Sequence, residues 1–104
     1  MQTLPTETAW MKCKVLKGMF STEYLVVVND RNDNEYGEMF VDKFLVKLDQ
    51  EKDLGMDDSV PGRVRVRTTW QKSEGSGLIS VMLPASTIQN GRYLEVPENW
   101  LTNS

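Results

Sequence analysis

Several short segments of the chain alternate apolar and polar residues, which is the pattern of β-strands with one buried face. Between them lie clusters of Asn, Asp, Gly, Pro and Ser, the residues that favour turns. No segment combines the helical period of apolar residues with capping residues at its ends. The pattern therefore predicts an all-β fold of six strands, at residues 11–15, 24–28, 38–48, 63–67, 78–83 and 92–96. The third of these opens at 38–41, and residues 42–48 either continue it directly or turn briefly before continuing it.

Single residues set further expectations for these strands. Pro84 is expected to end the fifth strand, because proline has no N–H to donate to the ladder. Trp70 has the same parity as Val64 and Val66, so it should face the core if the fourth strand extends that far. Residues 97–101 are expected to form a tight turn that packs an apolar side chain against the core.

The length of 104 residues is that of one small domain. Residues 1–9 are predicted to be a flexible leader, and residues 10–104 a single β domain. Within that domain, residues 49–62 are acidic and end in Pro-Gly, so they are interpreted as a linker. It separates a first repeat at about 10–48 from a second repeat at 63–104.

The two halves share one order of predicted elements: three strands and a tight turn. Val41 aligns with Val96, and the pair Leu45 and Val46 aligns with Trp100 and Leu101. Chance similarity between two β-meanders is the alternative to a duplication. A unit of roughly 35–40 residues is too small to form a stable domain without disulfide bonds or a bound metal ion. We therefore expect the halves to share one core, as a six-stranded barrel or as two small packed sheets.

Residues 91–101, GRYLEVPENWL, resemble the last strand and the 3₁₀ turn of the SH3 family. The match is carried by Pro97, Asn99, Trp100 and Leu101, with Trp where the family usually has Tyr. The resemblance implies an SH3-like or related small barrel, here built from two β-β-β-turn repeats. In the family, the proline and the aromatic residue of this motif help to line a groove for proline-rich peptides. Pro97 and Trp100 are therefore candidate partner-binding residues.

Charge is distributed unevenly along the chain. The formal net charge is −3, which excludes a broadly basic nucleic-acid-binding protein. Residues 29–58 carry ten acidic and four basic residues. Solvated loops are the simpler interpretation of this acidic stretch, and an acidic face for a basic partner is the alternative.

A cationic stripe is predicted on the fourth strand, where Arg63, Arg65 and Arg67 face away from Val64 and Val66. Three interpretations are open: exposed residues that pair with the protein's own acids, a protein contact, and phosphate binding to nucleic acid. Small barrels that bind nucleic acid usually place aromatic side chains beside the cations. No aromatic residue alternates with the arginines on this face of the strand. The pattern therefore favours a protein contact over nucleic-acid binding as the role of the stripe.

The residue inventory excludes much catalytic chemistry. The chain has no histidine and a single cysteine, Cys13, whose parity favours a place in the core. Residues 30–34 match the opening of a calcium-binding loop, but Glu35 and Val41 stand where glycine and a bidentate acid are required. We interpret this segment as a hairpin loop. No catalytic residue, metal site or cofactor is expected, and the protein is predicted not to be an enzyme.

Cysteine content and hydropathy bear on location. A lone cysteine fits a reducing compartment, and no apolar run approaches the length of a membrane span. The N-terminus lacks the pattern of a signal peptide. The sequence therefore predicts a cytoplasmic protein with no membrane partner.

Apolar residues at loop edges add a possible interface. Met19 with Phe20, and Met39 with Phe40, are at loop edges, where some of these side chains are expected to be exposed, and such patches often mark contacts. A protein partner or a homodimer is therefore expected. The sequence predicts a non-enzymatic protein-interaction or accessory module that uses the arginine stripe and Trp100. The alternative is a nucleic-acid-binding small barrel that uses Arg63, Arg65 and Arg67.

Overall fold

The computed structural model describes residues 6–103 of the chain, and within them it contains only strands, turns and two short 3₁₀ turns. Strands and 3₁₀ turns follow one another as β1 (Glu7–Lys17), β2 (Glu23–Asn29), β3 (Glu35–Asp42), the first 3₁₀ turn (Lys43–Leu45), β4 (Val46–Leu48), β5 (Ser59–Lys72), β6 (Ile79–Thr87), β7 (Gly91–Val96), the second 3₁₀ turn (Glu98–Trp100) and β8 (Leu101–Thr102). The predicted all-β class is confirmed. Among the described residues, no helix has the length and hydropathy needed to cross a bilayer.

All strands belong to one antiparallel sheet with the order β3-β2-β1-β5-β6-β7. These six are the predicted strands. Of the two short strands, β4 corresponds to the predicted continuation of the third strand after a brief turn, and β8 is not predicted. They pair across the halves of the chain: β4 lies beside β5, and β8 lies beside β1. The pairing of β1 with β5 runs from Glu7 opposite Thr68 to Leu16 opposite Ser59 and forms the centre of the sheet.

The sheet curls into a half-barrel because the free edge of β3 meets the turn between β6 and β7. The Ile88 amide donates to the Glu38 carbonyl oxygen at 2.9 Å, and the Tyr36 hydroxyl lies 2.6 Å from the Tyr93 carbonyl oxygen. Gly37 permits this approach, since a Cβ atom there would lie 2.7 Å from the Cβ of Thr87. The predicted barrel shape is therefore confirmed at the level of a curled sheet.

The concave side of the sheet holds the core, as the alternation of the strands predicts. Met11 and Val15 of β1 are fully buried, and so is Val64 of β5. Trp70 packs against this core while partly exposed, as its parity indicates. It lies in the irregular stretch between Thr68 and Lys72 and has a φ of +62°.

β1 and β5 both begin earlier in the chain than the predicted leader and linker allow. Residues 1–5 of the predicted leader lie outside the described residues, but residues 7–9 belong to β1, where Ala9 pairs with Val66 and is fully buried. The predicted linker is shorter than expected, because β5 begins at Ser59. Gly62 lies inside β5 and not in a turn. A Cβ atom there would lie 2.6 Å from the Lys47 carbonyl oxygen, so its small size lets β4 pack closely.

Pro84 does not end its strand, since β6 continues to Thr87. The pairing of β6 with β7 is irregular between Met82 and Thr87, so a missing N–H is tolerated there. The Arg92 guanidinium donates to the Leu83 carbonyl oxygen at 3.0 Å, so this backbone acceptor in the irregular stretch has a hydrogen-bond partner.

Candidate functional site

The convex side of the central strands carries a group of six cations, which we call the basic face. It consists of Lys12, Lys14, Lys47, Arg63, Arg65 and Arg67. The strand registers bring them together: Arg63 of β5 lies between Lys12 of β1 and Lys47 of β4. Because Val64 and Val66 point into the core, the three arginines point outward, as predicted. The lysines of β1 and β4 were not part of the predicted stripe.

Two tryptophans lie among these cations, which corrects the expectation that the basic face lacks aromatic residues. Trp10 pairs with Arg65, and the ammonium of Lys47 lies 4.1 Å from the centre of a Trp10 ring. Trp100 ends the second 3₁₀ turn, and the ammonium of Lys12 lies 4.1 Å from its ring centre. Both are cation–π contacts. The tryptophans come from β1 and the second 3₁₀ turn, so the sequence of β5 alone does not reveal them.

The cations of the basic face do not pair with the protein's own acids within residues 6–103. The two ion pairs in that range, Lys52 with Asp58 and Lys72 with Glu98, lie outside it. Arg67 donates instead to the Thr6 hydroxyl, at 2.9 and 3.1 Å. Pairing with internal acids is therefore not the role of the arginine stripe among the described residues, and its guanidinium groups can receive an external anion.

The SH3-like motif contributes one residue to this surface. Trp100 lies beside the basic face, and Pro97 precedes the 3₁₀ turn. Both residues are half-buried. The Pro97 carbonyl oxygen accepts a hydrogen bond from the Trp100 amide at 3.1 Å. Pro97 thus shapes the turn that positions Trp100. Of these two candidate groove residues, Trp100 lines a pocket together with Arg63, and Pro97 is not part of that lining.

Cys13 lies under the basic face and packs partly buried against the core, as expected. Burial raises the pKa of its thiol from 9.0 to about 12, and the negative charge of Asp49 adds to this effect. The thiol therefore stays protonated at neutral pH and is a poor nucleophile.

The acidic loop between β2 and β3 is a hairpin loop, as predicted. One carboxylate oxygen of Asp30 accepts the amides of Asn32 and Asn34, at 2.9 and 3.1 Å. This carboxylate is thereby used to shape the loop. Within residues 6–103 no group of three or more acidic or cysteine side chains is arranged to hold a metal ion.

A second surface feature is the turn between β1 and β2, where Met19 and Phe20 are 75% and 68% exposed. Phe44, in the first 3₁₀ turn, is 74% exposed. A backbone hydrogen bond from the Lys43 amide to the Thr22 carbonyl oxygen joins the two turns at 3.0 Å. Met39, by contrast, is buried, because the alternation of β3 turns it into the core, while its neighbour Phe40 is 39% exposed. The expectation that some of the four loop-edge side chains are exposed is confirmed.

Comparison of this chain with protein families, with curated proteins and with solved structures finds no match.

Proposed function

We propose that this protein binds single-stranded nucleic acid through the basic face and the two tryptophans beside it. The observation that carries the proposal is the interleaving of Trp10 and Trp100 with cations that have no acidic partner among residues 6–103. Proteins that bind single strands combine a positive surface that follows the backbone with aromatic rings on which bases stack. Both components are present here on one sheet face.

The dimensions of the basic face support a short stretch of single strand. The pairs Thr8–Arg67 and Lys14–Pro61 mark its ends along the central strands. The six residue steps between them span roughly 20 Å at about 3.3 Å per residue. That length suits a few nucleotides with phosphates at the arginines and bases over the tryptophans. Stacking requires unpaired bases, which favours a single strand over a duplex.

Alanine substitution of Trp10 and of Trp100 tests the stacking component. Each substitution should weaken binding of a fluorescein-labelled single-stranded oligonucleotide by about 1–3 kcal/mol, the value of one stacked base. Fluorescence anisotropy titrations at several salt concentrations measure this. The affinity of the unchanged protein should fall with salt, with a slope of about −0.7 per phosphate contact.

The matched control for these variants is Phe20→Ala, an exposed aromatic residue outside the basic face, which should bind like the parent. Equal affinities of all four proteins would contradict the stacking role. Salt-independent binding, or no binding at all, would overturn the proposed function.

Protein contact is a second candidate function, favoured by the exposed side chains of Met19, Phe20 and Phe44. We propose that this apolar surface contacts a protein partner or a second copy of the chain, since exposed apolar patches often mark interfaces. Size exclusion with light scattering, recording absorbance at 260 and 280 nm, distinguishes the candidates. A dimer free of nucleic acid that becomes monomeric in Met19→Ser/Phe20→Ser would support the apolar surface. A monomer that carries nucleic acid, released by high salt, would count against it.

For the fold, we propose a duplicated, SH3-like small barrel. Residues 7–48 and 59–102 have the same order of elements: three strands, a 3₁₀ turn and a short strand. The pairings are also equivalent. Met11 pairs with Val64 at the centre, Val64 pairs with Val46 of β4, and Met11 pairs with Leu101 of β8. This arrangement supports a pseudo-twofold axis through the central pair, and the 3₁₀ turn before β8 supports the likeness to SH3 barrels.

A further inference from the structure

The basic face contains a concave pocket beside Trp100, with a volume of about 350 Å³. This is at the small end of ligand pockets, which measure roughly 300–1,000 Å³. Trp100 and Val27 supply apolar surface, and the polar residues around them include Lys12, Asn29, Asp49 and Arg63. A planar aromatic group can therefore be held between apolar surface and hydrogen-bonding groups.

Among residues 6–103, Asp49 is the only one that contributes a carboxylate to the lining of this pocket. Its amide donates to the Pro61 carbonyl oxygen at 3.2 Å, which fixes its backbone at the end of β4. Within residues 6–103 it forms no ion pair with the neighbouring cations. A carboxylate repels phosphate, so Asp49 is not suited to contact the phosphates of the nucleic-acid backbone. It accepts hydrogen bonds, however, and exocyclic amino groups of bases donate them.

We infer that the pocket receives one nucleobase that bears an exocyclic amino group, stacked on Trp100 and hydrogen-bonded to Asp49. The inference rests on the proposed function and adds base selectivity to it. Cytosine presents an amino donor where thymine and uracil present a carbonyl acceptor. That carbonyl oxygen would face the carboxylate of Asp49 and be repelled. The ammonium of Lys12, now 4.1 Å from the Trp100 ring, moves to a phosphate when the base stacks.

The test compares labelled oligodeoxycytidine and oligothymidine of equal length by anisotropy, slightly above neutral pH, where both are single strands. The unchanged protein should bind oligodeoxycytidine about tenfold more tightly, the discrimination of one good base contact. Asp49→Asn should lose this preference and bind oligothymidine more tightly than the parent, because a negative charge has been removed from the face. Asp57→Asn, which removes an exposed charge from the same acidic segment but not from the pocket, should keep the preference.

The remaining outcomes separate failure of the base pocket from failure of the proposed function. Salt-dependent binding without a preference in the unchanged protein would overturn the base pocket and leave the proposed function standing. A preference that persists in Asp49→Asn would overturn the role of Asp49. Failure of the unchanged protein to bind either oligonucleotide would overturn the proposed function and the pocket with it.

Discussion

Reversing two charges, in the variant Arg65→Glu/Arg67→Glu, is expected to weaken binding of single-stranded oligonucleotides by about a hundredfold. A hydrogen bond to a charged group contributes roughly 1.5–3 kcal/mol, and two lost phosphate contacts give about 3 kcal/mol at the low end. The slope of log affinity against log salt should become shallower by about 1.4, at about 0.7 per contact. Both residues are exposed on the convex side of β5, so their substitution leaves the core intact.

The matched control for this variant is Lys17→Glu/Arg31→Glu, which changes the net charge equally at exposed residues outside the basic face. Anisotropy titrations of both variants separate a local effect from a general one. If the control lost as much affinity as the arginine variant, overall charge and not the basic face would govern binding. If neither lost affinity, the basic face would not be the binding surface.

Met11→Ala is expected to lower the free energy of unfolding by about 2–5 kcal/mol, the usual cost of truncating a buried Met. Met11 is fully buried and lies opposite both Val64 and Leu101, where β5 and β8 flank β1. A cavity at this position weakens the packing between β1 and the strands β5 and β8 of the second half. Urea unfolding followed by circular dichroism measures the change, provided that the slope m is the same for both proteins.

Met56→Ala is the matched control for the buried methionine, because Met56 is 86% exposed. Its unfolding free energy should stay within about 0.5 kcal/mol of the parent. A Met11→Ala protein as stable as this control would mean that the centre of the sheet is not packed as described. Oligonucleotide binding by the folded fraction of Met11→Ala serves as a second readout.

Local sequence patterns predict the six long strands, by alternation in β1, β5 and β7 and by a β-branched apolar run in β2. Where residues alternate, the pattern also predicts the direction of the side chains. Val64 and Val66 are buried while Arg65 and Arg67 are exposed, as parity requires. The same rule applies to β7, where Leu94 and Val96 are buried. These features depend only on neighbours in sequence, so one amino-acid sequence contains enough information to predict them.

The composition of the basic face could not be predicted in this way, because it depends on pairing between distant segments. Trp10 has the parity of Lys12, but only the register of β1 against β5 and β8 places it beside Arg65. Lys47 lies on β4, a strand too short for an alternation pattern. Pro84 does not end β6 for a related reason, since its missing N–H coincides with an irregularity in the pairing with β7.

The crossed pairing of the short strands has a consequence for protein synthesis. Thr102, the partner of Trp10, is translated 92 residues after it. Trp100, which lines the pocket, is made almost as late. A nascent chain therefore exposes most of its cations before the surface that contains both tryptophans can assemble. Under the proposed function, only chains translated as far as Thr102 acquire the complete ligand-binding face, so that shorter translation products compete poorly for the same ligand.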